Sequence, residues 1–461
     1  MKILKFGGSS IQSPERIQNV SEIVQQALNT NQQIAIVVSA FGGVTDELCG
    51  LSAEAANGNE NYKIRLKALE QRHLDAVKAL IEIRNQSRIL ANVKLMINEL
   101  EDILHGVFLI KELTLKTLDL VLSTGERLSA YIIAEYLQQK GLATEFLDAR
   151  QLVKTNAQFG SARIDFATTY QNINNYFKAH STTQVITGFI GSTANNETTT
   201  LGRGGSDYTA STFGAALNVD EIEVWTDVDG VMTSDPRKVP AAFPIESLTY
   251  EEAMEMSHFG AKVIYPPTIQ PALENKIPVR IKNTLNPDFT GTVIAEKNVV
   301  NHGYLIKGIS SFENIAILRV QGSGMVGVVG IAGRLFSALA QAKINVILIT
   351  QASSEHSICF AIQSKDAEHA RTTLEHEFSL ERQVHQIDEI VVEQGLAIIA
   401  AVGENMRHTP GIAGKLFQAL GNKQVNVMAI AQGSSELNIS IVIRQQDEAL
   451  ALNAIHEIFF A

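Results

Sequence analysis

Cysteine is nearly absent from this chain of 461 residues: Cys49 and Cys359, far apart, are the only two. That argues against a disulfide framework, and neither cysteine sits in a CxxC pair or beside paired histidines, which argues against metal–thiolate chemistry. Such sparing use of sulfur points to a reducing compartment, and a cytoplasmic location is expected. Long apolar runs are missing too. No stretch approaches the roughly 18–20 apolar residues of a membrane-crossing helix, and the opening MKILKFGGSS has too short an apolar run for a secretion signal. Positive charge is in deficit, with 38 Lys and Arg against 49 Asp and Glu, a formal −11. This balance speaks against nucleic acid or an anionic membrane as the main partner. An acidic protein that handles anionic substrates must concentrate its cations locally, so single lysines and arginines in glycine-rich loops are the ones to follow.

What is present is globular: 45% hydrophobic, 19% charged, with 32 glycines and only 10 prolines. The length predicts two or three domains. Up to about residue 295, short β-branched runs alternate with amphipathic helical stretches. Ile3–Phe6, Ile34–Ser39, Thr144–Asp148, Val185–Phe189, Glu221–Thr226 and Val279–Lys282 read as strands. Pro14–Thr30 and Tyr208–Leu217 read as helices, and Lys63–Lys116 as two or more helices without a strand. Strand–helix alternation with glycines at strand ends predicts a largely parallel sheet covered on both faces. Ligands of such sheets bind beyond the carboxyl ends of the strands, where the glycine-rich segments fall.

The turn-rich segment Asn283–Gly303 marks a boundary, and an internal repeat follows it. GIAGRLFSALAQAKINVILITQASSEHSICFAI, from Gly330, recurs 81 residues later as GIAGKLFQALGNKQVNVMAIAQGSSELNISIVI, from Gly411. Each copy reads as strand, glycine-bearing loop, amphipathic helix, then two strands joined by a Ser-Ser-Glu turn. The expected division is 1–295, 296–390 and 391–461.

The chain contains no GxxxxGK[ST], HRD or DFG pattern, so neither P-loop nor protein-kinase machinery is available. Phosphoryl transfer can use other scaffolds if backbone N–H groups cradle the phosphates and cations offset the developing charge. Lys5-Phe6-Gly7-Gly8-Ser9-Ser10 takes a strand into two glycines, hydroxyls and a helix start, which suits a polyphosphate; a tight turn with a surface lysine is the plainer alternative. Ser39–Asp46 (SAFGGVTD) repeats the design, suggesting two loops on one cleft. Gly202–Asp207 (GRGGSD) offers Arg203 for bidentate grip on a carboxylate, while Asp207 suits either an N-cap or an orienting partner for Lys5 or a Mg²⁺–ATP complex. Trp225–Met232 (WTDVDGVM) lacks the spacing and closing Glu of a calcium loop; with Arg237 it suits a nucleotide wall, and Lys262 offers a further cation. Glu126 reads as an acid at the mouth of a helix, either a common helix-start carboxylate or a partner for a substrate ammonium.

Taken together, KFGGSS, SAFGGVTD, STGERLSA, GFIG (Gly188–Gly191), TLGRGGSD, WTDVDGVMTSDPR and FGAKV resemble the aspartokinase family of the amino-acid-kinase fold, in its order and approximate spacing. The resemblance extends over essentially the whole chain, including tandem ACT-like units after residue 300. It implies an α/β amino-acid-kinase domain followed by ACT-like regulatory units. The implied reaction transfers the γ-phosphoryl group of ATP, with Mg²⁺, to the β-carboxylate of L-aspartate, giving 4-phospho-L-aspartate. This opens the route to threonine, lysine and methionine.

By the same resemblance Lys5 and Asp207 are catalytic, Asp207 organising the lysine. Lys5, Gly7, Gly8, Ser9, Thr226, Asp227, Met232, Arg237 and Lys262 line the ATP site. Ser39, Thr45, Glu126, Arg203 and Ser206 hold aspartate, with Glu126 at its amino group and Arg203 at its α-carboxylate. No protein side chain is assigned as a metal ligand. The C-terminal half resembles the threonine-sensitive branch, including the kinase part of bifunctional aspartokinase–homoserine dehydrogenases, with Gln351 and Gln432 standing where glutamines contact the inhibitor. Ending at Ala461 without a dehydrogenase segment makes a stand-alone kinase the expectation, and a homo-oligomer formed through the ACT units is implied.

Gly322–Gly327 (GSGMVG) also fits a dinucleotide GxGxxG. Its counterpart in the second repeat, Gly403–His408, lacks the pattern, and the next strand leads to Gln351 where a ribose-binding acid would stand. The dinucleotide reading is rejected. Two rivals remain: another small-molecule kinase of the same fold, disfavoured by TLGRGGSD with ACT-like repeats, and a non-catalytic amino-acid sensor, disfavoured by intact Lys5, Arg203 and Asp207.

Overall fold

Ile34–Val38 is buried at every position, which a strand achieves only where both sheet faces are covered. A computed structural model describes residues 1–29, 33–258, 265–299, 303–325, 328–351, 356–433 and 435–460. It divides into two compact units. Met1–Val231, Glu246–Tyr250 and residues 265–299 fall in the first; Met232–Ile245, 251–258 and 303–460 fall in the second.

In the first unit, β1 (Lys2–Phe6), β2 (Ile34–Val38), β3 (Thr144–Leu147), β4 (Thr183–Thr187), the hairpin β5 (Ile190–Ser192) and β6 (Thr198–Thr200), β7 (Glu221–Thr226), β8 (Ser247–Thr249), β9 (Val279–Asn283) and β10 (Thr292–Ala295) are the strands. An eight-stranded sheet runs β3-β4-β2-β1-β7-β9-β10-β8, parallel except for the β9–β10 pair. Its helices are α1 (Pro14–Asn29), α2 (Val44–Ala56), α3 (Asn61–Leu80), α4 (Ile83–Ile110), α5 (Leu115–Gln139), α6 (Phe166–Ala179), α7 (Gly205–Leu217) and α9 (Pro266–Glu274); α8 (Tyr250–His258) starts here and continues in the second unit. Every strand read from the sequence is present to within two residues, and residues 63–116 form helices alone. In register, Phe6 lies beside Val38 and Trp225, and Val38 beside Thr187, so four parallel strands end together.

The second unit repeats one βαββα design. The first copy is β11 (Gly308–Gln321), α10 (Ile331–Gln341), β12 (Leu348–Gln351), β13 (Ser357–Gln363) and α11 (Ala367–Glu377), followed by the short α12 (Ser379–Gln383). The second is β14 (Glu389–Val402), α13 (Ile412–Asn422), β15 (Ala429–Ala431), β16 (Asn438–Arg444) and α14 (Glu448–Phe460). The closing helix of each copy was not read from the sequence. The six strands form one antiparallel sheet, β12-β13-β11-β14-β16-β15, with β11 and β14 paired from Gly308↔Val402 to Gln321↔Glu389. One apolar core forms on each copy, around Phe360 and Phe378 in the first and Leu416 and Ile455 in the second. Among the described residues, no helix is long and apolar enough to cross a membrane.

The residues 232–245 are held within this unit by side chains of α14. Thr233 Oγ1 lies 3.0 Å from His456 Nε2, Lys238 Nζ 2.7 Å from Glu448, and Asn453 Nδ2 donates to the Lys238 carbonyl at 2.8 Å. Lys238 also pairs with Glu313 of β11.

Gly322 and Gly324 of GSGMVG have a packing reason. A Cβ on Gly322 would stand 2.1 Å from the Gln386 carbonyl oxygen, and one on Gly324 2.5 Å from the Gln386 side chain. Backbones approach closely here, and only glycine permits it. Gly322→Ala should therefore destabilise the chain by about 1–3 kcal/mol through overpacking. Denaturant unfolding of the variant checks this, and parental stability would show that the neighbouring backbone yields freely.

Candidate active site

Three glycine-bearing loops meet at the carboxyl ends of β1, β2 and β4. After β1 the chain turns at Gly7, whose N–H donates to the Trp225 carbonyl at 3.1 Å. A Cβ on Gly8 would lie 3.0 Å from the Ala40 carbonyl oxygen, and one on Gly42 3.1 Å from that of Gly8, so the first two loops lie back to back. The third contact is between Gly188 and α7, where a Cβ would meet the Ser206 side chain at 2.6 Å. Gly43 and Gly204 take left-handed φ of 82° and 70° and start α2 and α7. Arg72 of α3 ties the first two loops, donating from Nη2 to the carbonyls of Gln12 (3.1 Å) and Gly42 (2.9 Å). Beneath them Phe41 stacks on His73 with ring centroids 5.0 Å apart. Burial pushes the His73 imidazole down to about 4, so near neutrality it acts as an uncharged ring.

The loops enclose a cavity of about 520 Å³. Of the residues expected in the site, Lys5, Gly8, Ser39, Thr45, Glu126, Arg203, Ser206 and Asp207 share its walls. Lys5 Nζ pairs with Asp207 Oδ1 at 2.6 Å, joining the end of β1 to the first turn of α7. The lysine side chain is 10% exposed, enough to face a ligand on one side only. Arg203 is exposed, its guanidinium 5.3 Å from the Tyr265 ring centre, a cation–π contact that leaves the fork's edge available.

Glu126 corrects one expectation. It stands in the interior of α5, which starts at Leu115, and so is no helix-start carboxylate. Its neighbour Gly125 lets α5 approach the second loop, since a Cβ there would be 2.8 Å from that of Ala40. Glu126 is buried and its Oε2 has no partner. Burial pushes this carboxyl up to about 8, and the Ala40 amide offsets that only in part. A neutral acid with one unpartnered oxygen on a cavity wall is suited to receive a cation.

Asp119, two turns earlier on the same helix stripe, was not singled out in the sequence. It is fully buried and lines the cavity, accepting bonds from Gly160 N–H (2.9 and 3.1 Å), Thr200 N–H (3.0 Å) and Thr200 Oγ1 (2.7 Å). A lone aspartate in a helical stretch carries no signal that separates it from a solvated one.

The other expected residues lie elsewhere. Gly7 adjoins Lys5 Nζ, and the Ser9 carbonyl accepts from Arg16 at 2.7 Å. Thr226 ends β7, and Asp227, exposed, accepts from its hydroxyl at 3.2 Å. Met232 and Arg237 belong to the second unit, where Arg237 is exposed and paired with Asp235 at 2.7 Å. Lys262 lies outside the described residues. Gln351 ends β12 and Gln432 follows β15; both are exposed.

A parallel sheet, back-to-back glycine loops and a Lys–Asp pair over a cavity make a site of the amino-acid-kinase type, a fold other than the P-loop type. Residues 1–283 match the amino acid kinase family, and residues 318–378 and 399–459 each match an ACT domain. Similar proteins include the chloroplastic bifunctional aspartokinase/homoserine dehydrogenase 2 of Zea mays, 36% identical over 99% of this chain and 50% of its own length. The chloroplastic aspartokinase 1 of Arabidopsis thaliana is 34% identical over 99% of this chain and 80% of its own. The structure of E. coli aspartokinase III in complex with aspartate and ADP is 26% identical with a TM-score of 0.83, each chain covered completely. The chain belongs to the aspartokinase family. It spans about half the length of the bifunctional relatives it matches.

The protonation of Glu126 generates a prediction. Its ordinary value is 4.5, so between there and about 8 only the folded form holds the proton. Stability therefore falls as pH rises through that window, by on the order of 1.4 kcal/mol per pH unit for one such group. Glu126→Gln removes this term, so the difference between parent and variant in denaturant unfolding should slope between pH 5 and 8 without substrate. Parallel curves would mean that Glu126 is already ionised.

Proposed function

We propose that the chain is an aspartate kinase: a β-carboxylate oxygen of L-aspartate bonds to the γ-phosphorus of ATP, the bond to the β–γ bridging oxygen breaks, and ADP leaves with that electron pair. The observation that carries this reading is the Lys5–Asp207 pair over a cavity that also holds Glu126 and Arg203. Asp207 keeps the lysine ammonium aimed at the transferring group, where negative charge spreads in the transition state. Gly7, Gly8 and Ser9 line the phosphates. Thr226, Asp227, Met232, Arg237 and Lys262 form the nucleotide wall. Arg203 takes the α-carboxylate bidentately, Glu126 ionises as it takes the ammonium, and Ser39, Thr45 and Ser206 hold what remains by hydroxyl bonds. Asp46 and Asp207 on the cavity wall would hold Mg²⁺ together with substrate oxygens, and the ion would offset the charge of the phosphates.

The relatives support the substrate assignment, since E. coli aspartokinase III is seen with aspartate and ADP, and in a second structure with lysine and aspartate. In this reading residues 1–295 are the kinase domain, 296–390 and 391–461 are the ACT units, these units pair copies of the chain, and the enzyme works in the cytoplasm. Threonine is the proposed inhibitor. Its ammonium, carboxylate and hydroxyl suit the neutral amides of Gln351 and Gln432, which both donate and accept.

Two measurements test this function. Lys5→Ala should lower kcat by about 10²–10³ in aspartate-dependent ADP formation, with a smaller effect on ATP binding. Near-parental turnover would remove Lys5 from the chemistry. Gln351→Ala and Gln432→Ala should relieve threonine inhibition while sparing uninhibited activity, with coupling of about 1–3 kcal/mol at stake. Inhibition by lysine but not threonine would overturn the choice of effector.

A further inference from the structure

Helix α5 presents two buried carboxylates to the cavity along one stripe, and they are in opposite states. Glu126 Oε2 has no partner, whereas both oxygens of Asp119 are occupied by donors of the protein itself. Seven residues separate them, about 10.5 Å along the helix. Asp119 is thus not a second seat for the substrate ammonium, and its burial needs another reason.

Its donors come from two different loops. One is Gly160, in a left-handed turn with φ 86°; the other is Thr200, the last residue of β6. The same two segments are tied again by the Ala162 N–H donating to the Thr200 carbonyl at 2.9 Å. Immediately beyond, Gly202 turns left-handed with φ 75°, a Cβ on it would lie 3.4 Å from the Gly160 carbonyl oxygen, and Arg203 follows. A buried carboxylate bonded to the N–H and O–H of Thr200 fixes that residue in position and direction. Three residues later the chain has delivered Arg203 to the cavity wall.

We propose that Asp119 is a positioning residue for aspartate binding: by clamping Thr200 and Gly160 it sets the place from which Arg203 grips the substrate. This rests on the reading of Arg203 given above. Burial pushes the Asp119 carboxyl up, while the bonds from Gly160 and Thr200 pull it back. An amide in its place offers one acceptor and turns an NH₂ toward donors that need two.

The test is a double-mutant cycle in the full-length chain, with Michaelis constants measured for both substrates. Arg203→Ala should raise KM for aspartate. Asp119→Asn should raise it about tenfold or more while changing KM for ATP less than about twofold, and on the Arg203→Ala background it should add less than about twofold, because contacts made through a shared partner are not additive. If Asp119→Asn does not fold, Thr200→Val takes its place in the cycle; it removes only the hydroxyl bond, and a rise of about threefold to tenfold is expected. A full additive effect on the Arg203→Ala background, an equal rise in KM for ATP, or no rise at all overturns the proposal. If Arg203→Ala itself leaves KM for aspartate unchanged, the reading of Arg203 falls first and the proposal falls with it.

Discussion

The close approach of glycine backbone to its neighbours at the carboxyl ends of β1, β2 and β4 is the constraint on which the first unit's site depends. Gly8 against Ala40, Gly42 against Gly8 and Gly188 against Ser206 leave no room for side chains. Such approaches use glycine where it is conformationally costly, and they are secured by packing from beneath. Arg72 joins two of the loops through their carbonyls, and the Phe41–His73 stack fills the space under the second. With the loops fixed, the reacting groups need little adjustment of their own. Lys5 follows from the end of a strand buried in the sheet, and Asp207 from the first turn of a helix whose start Gly204 sets. The ion pair between them is then a consequence of sheet geometry.

Charge in the cavity is divided by environment. Two carboxylates on one face of α5 would repel if both were ionised and unpaired. Asp119 is surrounded by donors that favour its charged form, and Glu126 is left dry and protonated. The cavity therefore carries less negative charge than its composition suggests. That matters for an acidic protein whose proposed ligands are a dicarboxylate and a triphosphate.

Much of this was legible in the sequence, for identifiable reasons. A strand such as Ile34–Val38 announces itself because burial on both faces demands an unbroken apolar run. The glycine loops announce themselves because glycine pairs after a strand have few other uses. Glu126 was found but misplaced: the start of α5 is marked only by Thr114, whose side chain caps Thr117 N–H, a weak signal inside a long helical stretch. Asp119 was missed because its partners, Gly160 and Thr200, are about 40 and 80 residues away, as the hydrogen bonds from their backbones record. Local pattern carries no information about such contacts. The closing helices α11 and α14 were overlooked for a different reason, since the repeat was read only as far as its identities ran.

The composition of the second unit was also illegible. A sequence is read in order, but residues 232–245 leave the kinase strand β7 and pack with the ACT repeat. Val239 is fully buried in the second ACT core. Thr233, Lys238 and the Lys238 carbonyl are held by His456, Glu448 and Asn453, three residues on one helix. Glu448 is buried, so the bond to Lys238 cannot be given up without leaving a carboxylate dry, which costs far more than losing an exposed pair. The segment that carries Met232 and Arg237, both placed in the proposed nucleotide wall, is therefore held by several side-chain bonds to the last helix of the second ACT copy.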